Sequence, residues 1–278
     1  MDRKSADELQ NHMLGTYYSL RVGLAVIGIV LPLIVLFAGG VLHHVWLEPS
    51  ISRYYYTQGL SYFTTRDLFV GGLFAVGVCL YLYKGFSTKE NVALNLARVF
   101  ALFVALLPTA ATSSNRGLVS TLHGTSAVLF FLCIAYVSLF RSRDTLHLLS
   151  PAKRPRYASA YLGAGLAMIV SPLAAVVLSF ALEPTSGLRT LIFWVETFAV
   201  WTFAAYWIIK TKEMRDTKAE GRALDGKLRR VVVPAASLEP NVASAGGVRT
   251  RGLRDLWSQS TEKEAVVPAT SADIQQPL

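Results

Sequence analysis

The stretch Leu20–Trp46, LRVGLAVIGIVLPLIVLFAGGVLHHVW, decides the fold class of this chain, because it carries no acidic, lysine or further arginine side chain after Arg21. A helix of ~20 apolar residues is long enough to cross the hydrocarbon core of a bilayer. Since no water is available at that depth, the backbone amides must bond within the segment, which favours a helix. No small-residue cleavage site follows the stretch. We therefore expect it to remain in the mature protein as a membrane-spanning helix.

Further apolar runs of similar length follow the first one. They are Leu68–Phe86, Val92–Thr112, His123–Phe140, Tyr157–Leu182 and Leu188–Ile209. With 53% hydrophobic and 16% charged residues, the composition excludes an ordinary soluble domain. The sequence therefore predicts an all-α protein, a polytopic transmembrane helix bundle of about six spans.

The basic residues alternate from one connection to the next. They are concentrated before the first run, between the second and third, between the fourth and fifth, and after the sixth: Arg3, Lys4, Arg21, Lys84, Lys89, Arg141, Arg143, Lys153, Arg154, Arg156, Lys210, Lys212 and Arg215. Cytoplasmic loops carry such an excess of Lys and Arg. This pattern predicts a bacterial inner-membrane protein with both termini cytoplasmic. It also excludes nucleic-acid binding as the explanation of the net charge of +9.

Three regions follow from these patterns. Residues 1–18 form a polar cytoplasmic segment, residues 19–212 form the six-helix transmembrane domain, and residues 213–278 form a cytoplasmic, largely disordered tail rich in Ser, Ala, Pro and Gly. We expect membrane lipids as partners, and the chain can also form a homo-oligomer or join a membrane complex.

Polar residues collect at the predicted extracytoplasmic end of the bundle, where an outward-facing pocket is expected. The candidate ligand-binding residues there are His43, His44, Ser52, Tyr55, Asp67 and His123. Each also has a structural interpretation. Tyr55 fits an aromatic belt with Trp46, Tyr54 and Tyr56, the Asp67 carboxylate suits a helix N-terminus, and an interfacial histidine needs only a hydrogen bond.

Glu196 is the strongest single candidate for a functional residue. It lies about eight residues into the sixth run, hence ~12 Å below the outer surface at 1.5 Å per residue. A carboxylate at that depth must be paired, protonated or exposed to a water-filled cavity. We expect Glu196 to face the bundle interior, either as a functional group or as a packing hydrogen bond.

The first two thirds of the helical region resemble a family of bacterial multi-pass membrane proteins without an assigned activity. The matching stretches are Ser50–Tyr55 (SISRYY), Arg66–Gly71 (RDLFVG), Tyr83–Gly85 (YKG), Leu107–Thr109 (LPT), and His123 with Phe130 and Phe131. A more distant similarity is to the CREST superfamily of alkaline ceramidases and progestin/adipoQ receptors, which hold zinc in a heptahelical bundle. That resemblance implies a zinc site at Asp67, His123 and His44 near Ser50 or Ser52. The chain lacks the family's paired histidines in a late helix and a seventh span.

Three functions are compatible with this sequence. The first is non-catalytic binding or sensing of a small or lipid ligand, or support of a membrane complex, through the outer pocket. The second, implied by the CREST resemblance, is a metal-dependent hydrolase of a lipid amide or ester. The third is a small proton-coupled transporter in which Glu196 carries the proton.

Overall fold

The computed structural model describes residues 3–57, 64–110, 117–182, 186–224, 228–233 and 263–268. It divides into two compact units, Met1–Lys218 and Ala219–Leu278. The first unit extends beyond the predicted boundary at Lys212, because the last long helix continues to Thr217 and buries Glu213.

Six long helices build the first unit. They are α1 (Arg3–His43), α2 (Thr65–Leu82), α3 (Thr88–Leu106), α4 (Leu118–Tyr136), α5 (Arg154–Ala181) and α6 (Thr190–Thr217). Each helix packs against its neighbours in the chain, and α6 packs against α1, so the six helices close into a ring in sequence order. We call the end that holds the 3₁₀ turn Ile51–Tyr56 the turn end. The opposite end, with the connection Val137–Lys153, is the basic end.

Within the described residues, five helical segments are long and apolar enough to cross a membrane: Glu8–His43, Thr65–Leu82, Leu118–Leu148, Arg154–Ala181 and Gly187–Thr217. The prediction of a helical, multi-pass integral membrane protein is therefore confirmed. Helix α3 does not meet the same criterion. Although it is 19 residues long, it carries Lys89, Glu90 and Arg98.

Helices α2 and α3 begin before the predicted apolar runs because their first turns are polar and capped. At the start of α2, the backbone N–H and the hydroxyl of Thr64 both donate to Asp67 Oδ2, each at 2.9 Å. At the start of α3, the Ser87 hydroxyl accepts from the Glu90 N–H at 3.2 Å. Such side chains satisfy amide groups that have no partner within the helix. At the other end, α3 stops before Pro108, and the predicted end at Thr112 lies outside the described residues.

Helix α3 packs between α2 and α4 along a stripe of small side chains. The buried residues Ala93, Ala97, Ala101 and Ala105 recur every four positions. Residues at this spacing lie on one helix face, and small residues let neighbouring backbones approach closely. The stripe explains how a helix that carries three charged side chains is held within the ring.

Two clusters of apolar side chains fill the ring. The cluster towards the basic end includes Leu24, Leu80, Leu94, Ile134, Met168 and Trp207. The cluster towards the turn end includes Leu31, Val35, Ile51, Tyr54, Phe69 and Phe193. In contrast, residues such as Val177 (63% exposed) and Phe180 (74%) point out of the bundle, where lipid tails would cover them.

The second unit contains a short helix and a pair of strands. Helix α7 spans Ala219–Leu224, and strands β1 (Leu228–Val233) and β2 (Lys263–Pro268) pair antiparallel, with Leu228 opposite Pro268. The expectation of a largely disordered tail stays a prediction, because most of residues 234–278 lie outside the described ranges.

Candidate functional site

The turn Ile51–Tyr56 folds back against the helices at the turn end of the ring. The chain can reverse there because α1 ends in a left-handed residue: His44 has φ 58°, and the Val45 N–H bonds the Gly39 carbonyl at 2.9 Å. A residue in the left-handed conformation directly after the last turn is a common way for a helix to end. Gly39 also leaves room for the turn, since a Cβ at this position would lie 2.4 Å from the ring of Tyr54.

Glu196 fixes the start of the same turn from the side of α6. Its Oε2 accepts a hydrogen bond from the Ile51 N–H at 2.8 Å, and the Ser52 N–H also bonds to the carboxylate. The first amides of a helical turn have no partner within it, and a carboxylate suits their positive end. Ser50, the residue that precedes the turn, makes no such cap. Glu196 therefore acts as the N-terminal cap of this turn, although it lies far from the turn in the sequence.

A cavity of about 760 Å³ occupies the turn-end half of the ring, and all six long helices contribute to its wall. We call it the central cavity. Glu196, His123, Ser52, Arg53 and Arg189 supply polar groups to a wall that is otherwise mainly apolar and aromatic. Two wall residues on α5 remain partly uncovered by other residues, Val176 (37% exposed) and Phe180 (74%). The cavity is therefore not closed on the side of α5.

His123 joins the cavity wall to the end of α3. Its Nδ1 lies 2.6 Å from the carbonyl oxygen of Leu107. Since a carbonyl can only accept, Nδ1 carries the proton and donates it. Leu107 precedes Pro108, a position at which the helix ends and its last carbonyls lack helical partners. His123 thus provides the hydrogen-bond donor for a carbonyl group at the end of α3.

The structure brings together three of the predicted site residues and separates the others. Glu196, His123 and Ser52 line the central cavity. Asp67 lies outside the cavity wall, exposed and bonded to Thr64, so the expectation of a cavity shared by Asp67 and His123 is wrong. The sequence pattern placed both residues at one membrane level but gave no direction for their side chains.

The remaining candidates also lie away from the cavity wall. His44 is exposed, whereas both ring nitrogens of His43 are buried without a hydrogen-bond partner among the described residues. Tyr55 packs on the ring of Tyr56 and under the guanidinium of Arg66, whose Cζ lies 5.4 Å from its ring centre. The described residues contain no group of three or more His, Cys, Asp or Glu side chains placed to hold a metal ion. The proposed zinc ligands Asp67, His123 and His44 therefore do not form a donor set.

Tyr54 is a core residue and not part of an interfacial belt. Its side chain is fully buried, and its hydroxyl donates to the Trp46 carbonyl at 2.9 Å. Burial raises the pKa of the phenol above its ordinary value. The buried hydroxyl of Thr65 donates to the Tyr54 carbonyl at 2.8 Å, which ties the turn to α2. The expectation of a belt holds better for Trp46, which is 55% exposed.

A second polar cluster lies buried near the basic end. Glu213 on α6 accepts hydrogen bonds from Thr145 Oγ1 (2.5 Å), Tyr161 Oη (2.8 Å) and Lys210 Nζ (3.0 Å). Lys210 is 1% exposed and Glu213 is fully buried. Buried charges persist when they are paired and hydrogen-bonded. Through Glu213, the cluster connects α6 to α5 and to the 3₁₀ turn Ser142–Leu148.

The apolar runs and the charge pattern do not point to this cluster. They place Lys210 among the flanking basic residues and Glu213 at the start of the tail. A usable signal was present, because Lys210 and Glu213 stand three apart and therefore on one helix face. Lys210 also follows Trp207 by three residues, which indicates that the packed face of α6 continues.

The central cavity offers a ligand apolar walls, a cationic group and an opening on the side of α5. Its histidine and its carboxylate are both engaged in holding backbone groups. Comparison of this chain with protein-family models, with curated proteins and with solved structures finds no match.

Proposed function

We propose that this integral membrane protein binds an amphiphilic, lipid-like molecule in the central cavity, without catalysis. The observation that carries the proposal is the wall of the cavity, where residues of all six helices enclose about 760 Å³ and two α5 residues remain partly uncovered. Ligand cavities of ~300–1,000 Å³ with apolar walls and a few polar groups are typical of small-molecule sites. An amphiphile can enter such a cavity sideways from the bilayer.

A cavity-filling substitution tests this proposal. Gly124 lines the cavity, and a Cβ at this position meets nothing within 4 Å. Gly124→Phe should therefore fill the cavity without a backbone clash and abolish binding of a dansylated long-chain amphiphile to the purified protein. Gly163→Phe is the matched control, because Gly163 has the same open surroundings and is not part of the cavity wall. Unchanged binding by the Gly124 variant would refute the proposed site.

A small proton-coupled transporter is the second candidate function. It is favoured by the position of Glu196, which both lines the cavity and holds the turn Ile51–Tyr56. A change in the protonation of Glu196 would alter the bonds to that turn. Flux of a labelled amphiphile into proteoliposomes that follows an imposed proton gradient, and that Glu196→Gln abolishes, would identify a transporter. Binding that does not depend on the gradient and is not accompanied by flux would exclude transport and support the function of ligand binding alone.

The proposed setting is the bacterial inner membrane, with α3 as a sixth span and both termini cytoplasmic. The basis is the excess of Lys and Arg at the basic end. Single cysteines test the orientation in a background from which Cys79 and Cys133 have been removed. In cells with a permeabilised outer membrane, Ser114→Cys should react with an impermeant thiol reagent and Ser150→Cys should not. The reverse pattern would invert the orientation.

A further inference from the structure

The distribution of charge at the central cavity selects one class of amphiphile. Arg53 and Arg189 are the cationic wall residues, and Glu196 is the acidic one. Arg53 is already paired, because its Nε lies 3.3 Å from Glu48 Oε2. The carboxylate of Glu196 is engaged by the backbone amides of the turn. These contacts leave Arg189 as the wall cation whose charge has no counterpart among the described residues.

Arg189 is held in a position from which it can bind a ligand. It ends the 3₁₀ turn Gly187–Arg189 and directly precedes α6. Its Nε is buried and has no hydrogen-bond partner in the part of the chain that the structure describes. An unsatisfied buried Nε donor on this half-buried side chain is costly, and a carboxylate or phosphate oxygen removes that cost. The first turn of α6 carries no acidic side chain that would compete with a ligand for the guanidinium of Arg189.

The wall of α6 continues from this cation into an apolar channel. Arg189, Ile192, Glu196, Ala199 and Phe203 lie at steps of three and four residues, and all of them line the cavity. At 1.5 Å per residue, the stripe from Arg189 to Phe203 is about 21 Å long. The cation stands at the turn end of the stripe, and its deeper part is apolar and aromatic. This arrangement matches a charged head group followed by a long hydrocarbon chain.

We propose that the central cavity selects amphiphiles with an anionic head group, a carboxylate or a phosphate ester, and that Arg189 is the residue that binds this group. The inference rests on the proposed function, because it requires that the cavity bind an amphiphile at all. Arg189 is then the specificity-determining residue, and the hydrocarbon chain lies along α6 towards Phe203.

The test compares three probes of one chain length: a dansylated fatty acid, the corresponding alcohol and the corresponding quaternary amine. The protein is purified in amphipol, and each probe is titrated against the full chain. A charge-assisted hydrogen bond to the buried Nε of Arg189 should make the acid bind about tenfold more tightly than the alcohol. The amine should bind more weakly than the alcohol.

Arg189→Gln should remove the preference for the acid and leave the affinity for the alcohol unchanged. Arg189→Lys, which keeps the charge, should retain part of the preference. Arg66→Gln is the matched control, since Arg66 is an exposed arginine at the same end of the bundle and is not part of the cavity wall. The thermal midpoint of each variant reports whether it is folded. If Arg189→Gln does not fold, the test relies on Arg189→Lys.

The outcomes separate this inference from the function on which it rests. Equal affinity for acid and alcohol, or a preference that survives Arg189→Gln, would overturn the inference and leave an amphiphile-binding cavity. No binding of any probe would overturn both. Repeating the titration in nanodiscs of phosphatidylglycerol and of phosphatidylcholine distinguishes the source of the anion. Competition only by phosphatidylglycerol would identify a membrane phospholipid in place of a free single-chain acid.

Discussion

Removing the carboxylate of Glu196 should destabilise the turn end of the bundle. In Glu196→Ala, the N–H groups of Ile51 and Ser52 lose their acceptor. Ile51 is buried, so water cannot easily replace the carboxylate at its amide. An orphaned buried donor costs about 1–3 kcal/mol and the bond of the half-buried Ser52 contributes about 0.5–1.5 kcal/mol, so we expect a loss of about 1.5–4.5 kcal/mol in the free energy of unfolding.

The conservative variant separates the charge of Glu196 from its shape. Glu196→Gln keeps one acceptor oxygen but replaces two charge-assisted hydrogen bonds with weaker ones, so the expected loss is smaller, about 1–3 kcal/mol. Glu48→Gln is the control, because Glu48 belongs to a partly exposed ion pair with Arg53 and should contribute no more than about 1 kcal/mol. The measurement is equilibrium unfolding in mixtures of dodecyl sulfate and dodecyl maltoside.

Limited proteolysis provides a second measurement on the same variants. The segment 45–57 should be cleaved faster in Glu196→Ala than in the wild type, because the anchor of the turn to α6 is lost. If Glu196→Ala lost less than about 1 kcal/mol and its turn remained equally protected, the capping role argued from the hydrogen bonds to Ile51 and Ser52 would be refuted.

The remaining predictions concern the basic end and the close approach at α1. Glu213→Leu leaves Lys210 buried without its nearest carboxylate, and breaking such a pair should lower the free energy of unfolding by about 3–5 kcal/mol in the same unfolding assay; a loss below 1 kcal/mol would contradict the pairing. Gly39→Ala places a methyl group against the ring of Tyr54 and should cost about 1–3 kcal/mol. Gly163→Ala, with open space at its Cβ, should leave the thermal midpoint unchanged or raise it, and equal destabilisation of the two variants would contradict the packing argument.

The helices could be predicted from the sequence, but their ends could not. Hydropathy detects the part of a helix that lipid or apolar neighbours surround, whereas the hydrogen-bonded backbone continues into polar first and last turns. Asp67 and Ser87 therefore extend α2 and α3 at their starts beyond the apolar runs. Helix α6 is 28 residues long and passes its predicted end for the same reason, because Lys210 and Glu213 satisfy each other.

The depth of Glu196 could also be predicted, whereas its partners could not. In a membrane bundle, the lipid-facing and the core-facing sides of a helix are both apolar, so periodicity does not tell which way a side chain points. Nothing local in the sequence indicates that the turn Ile51–Tyr56 folds back onto α6. The interpretation of Tyr54 as an interfacial residue failed because its tyrosine-rich context suits a belt and a buried turn equally well.

Helix α3 has a consequence for how the chain enters the bilayer. In the six-span arrangement proposed above, Arg98 lies near the middle of α3, where insertion of a single arginine costs about 2.5–3.5 kcal/mol. Its guanidinium lies against α2, with its Cζ 4.5 Å from the ring centre of Tyr81. Insertion of α2 and α3 together, as one helical hairpin, would keep the Tyr81 ring beside Arg98 and lower the cost of placing this charge in the bilayer.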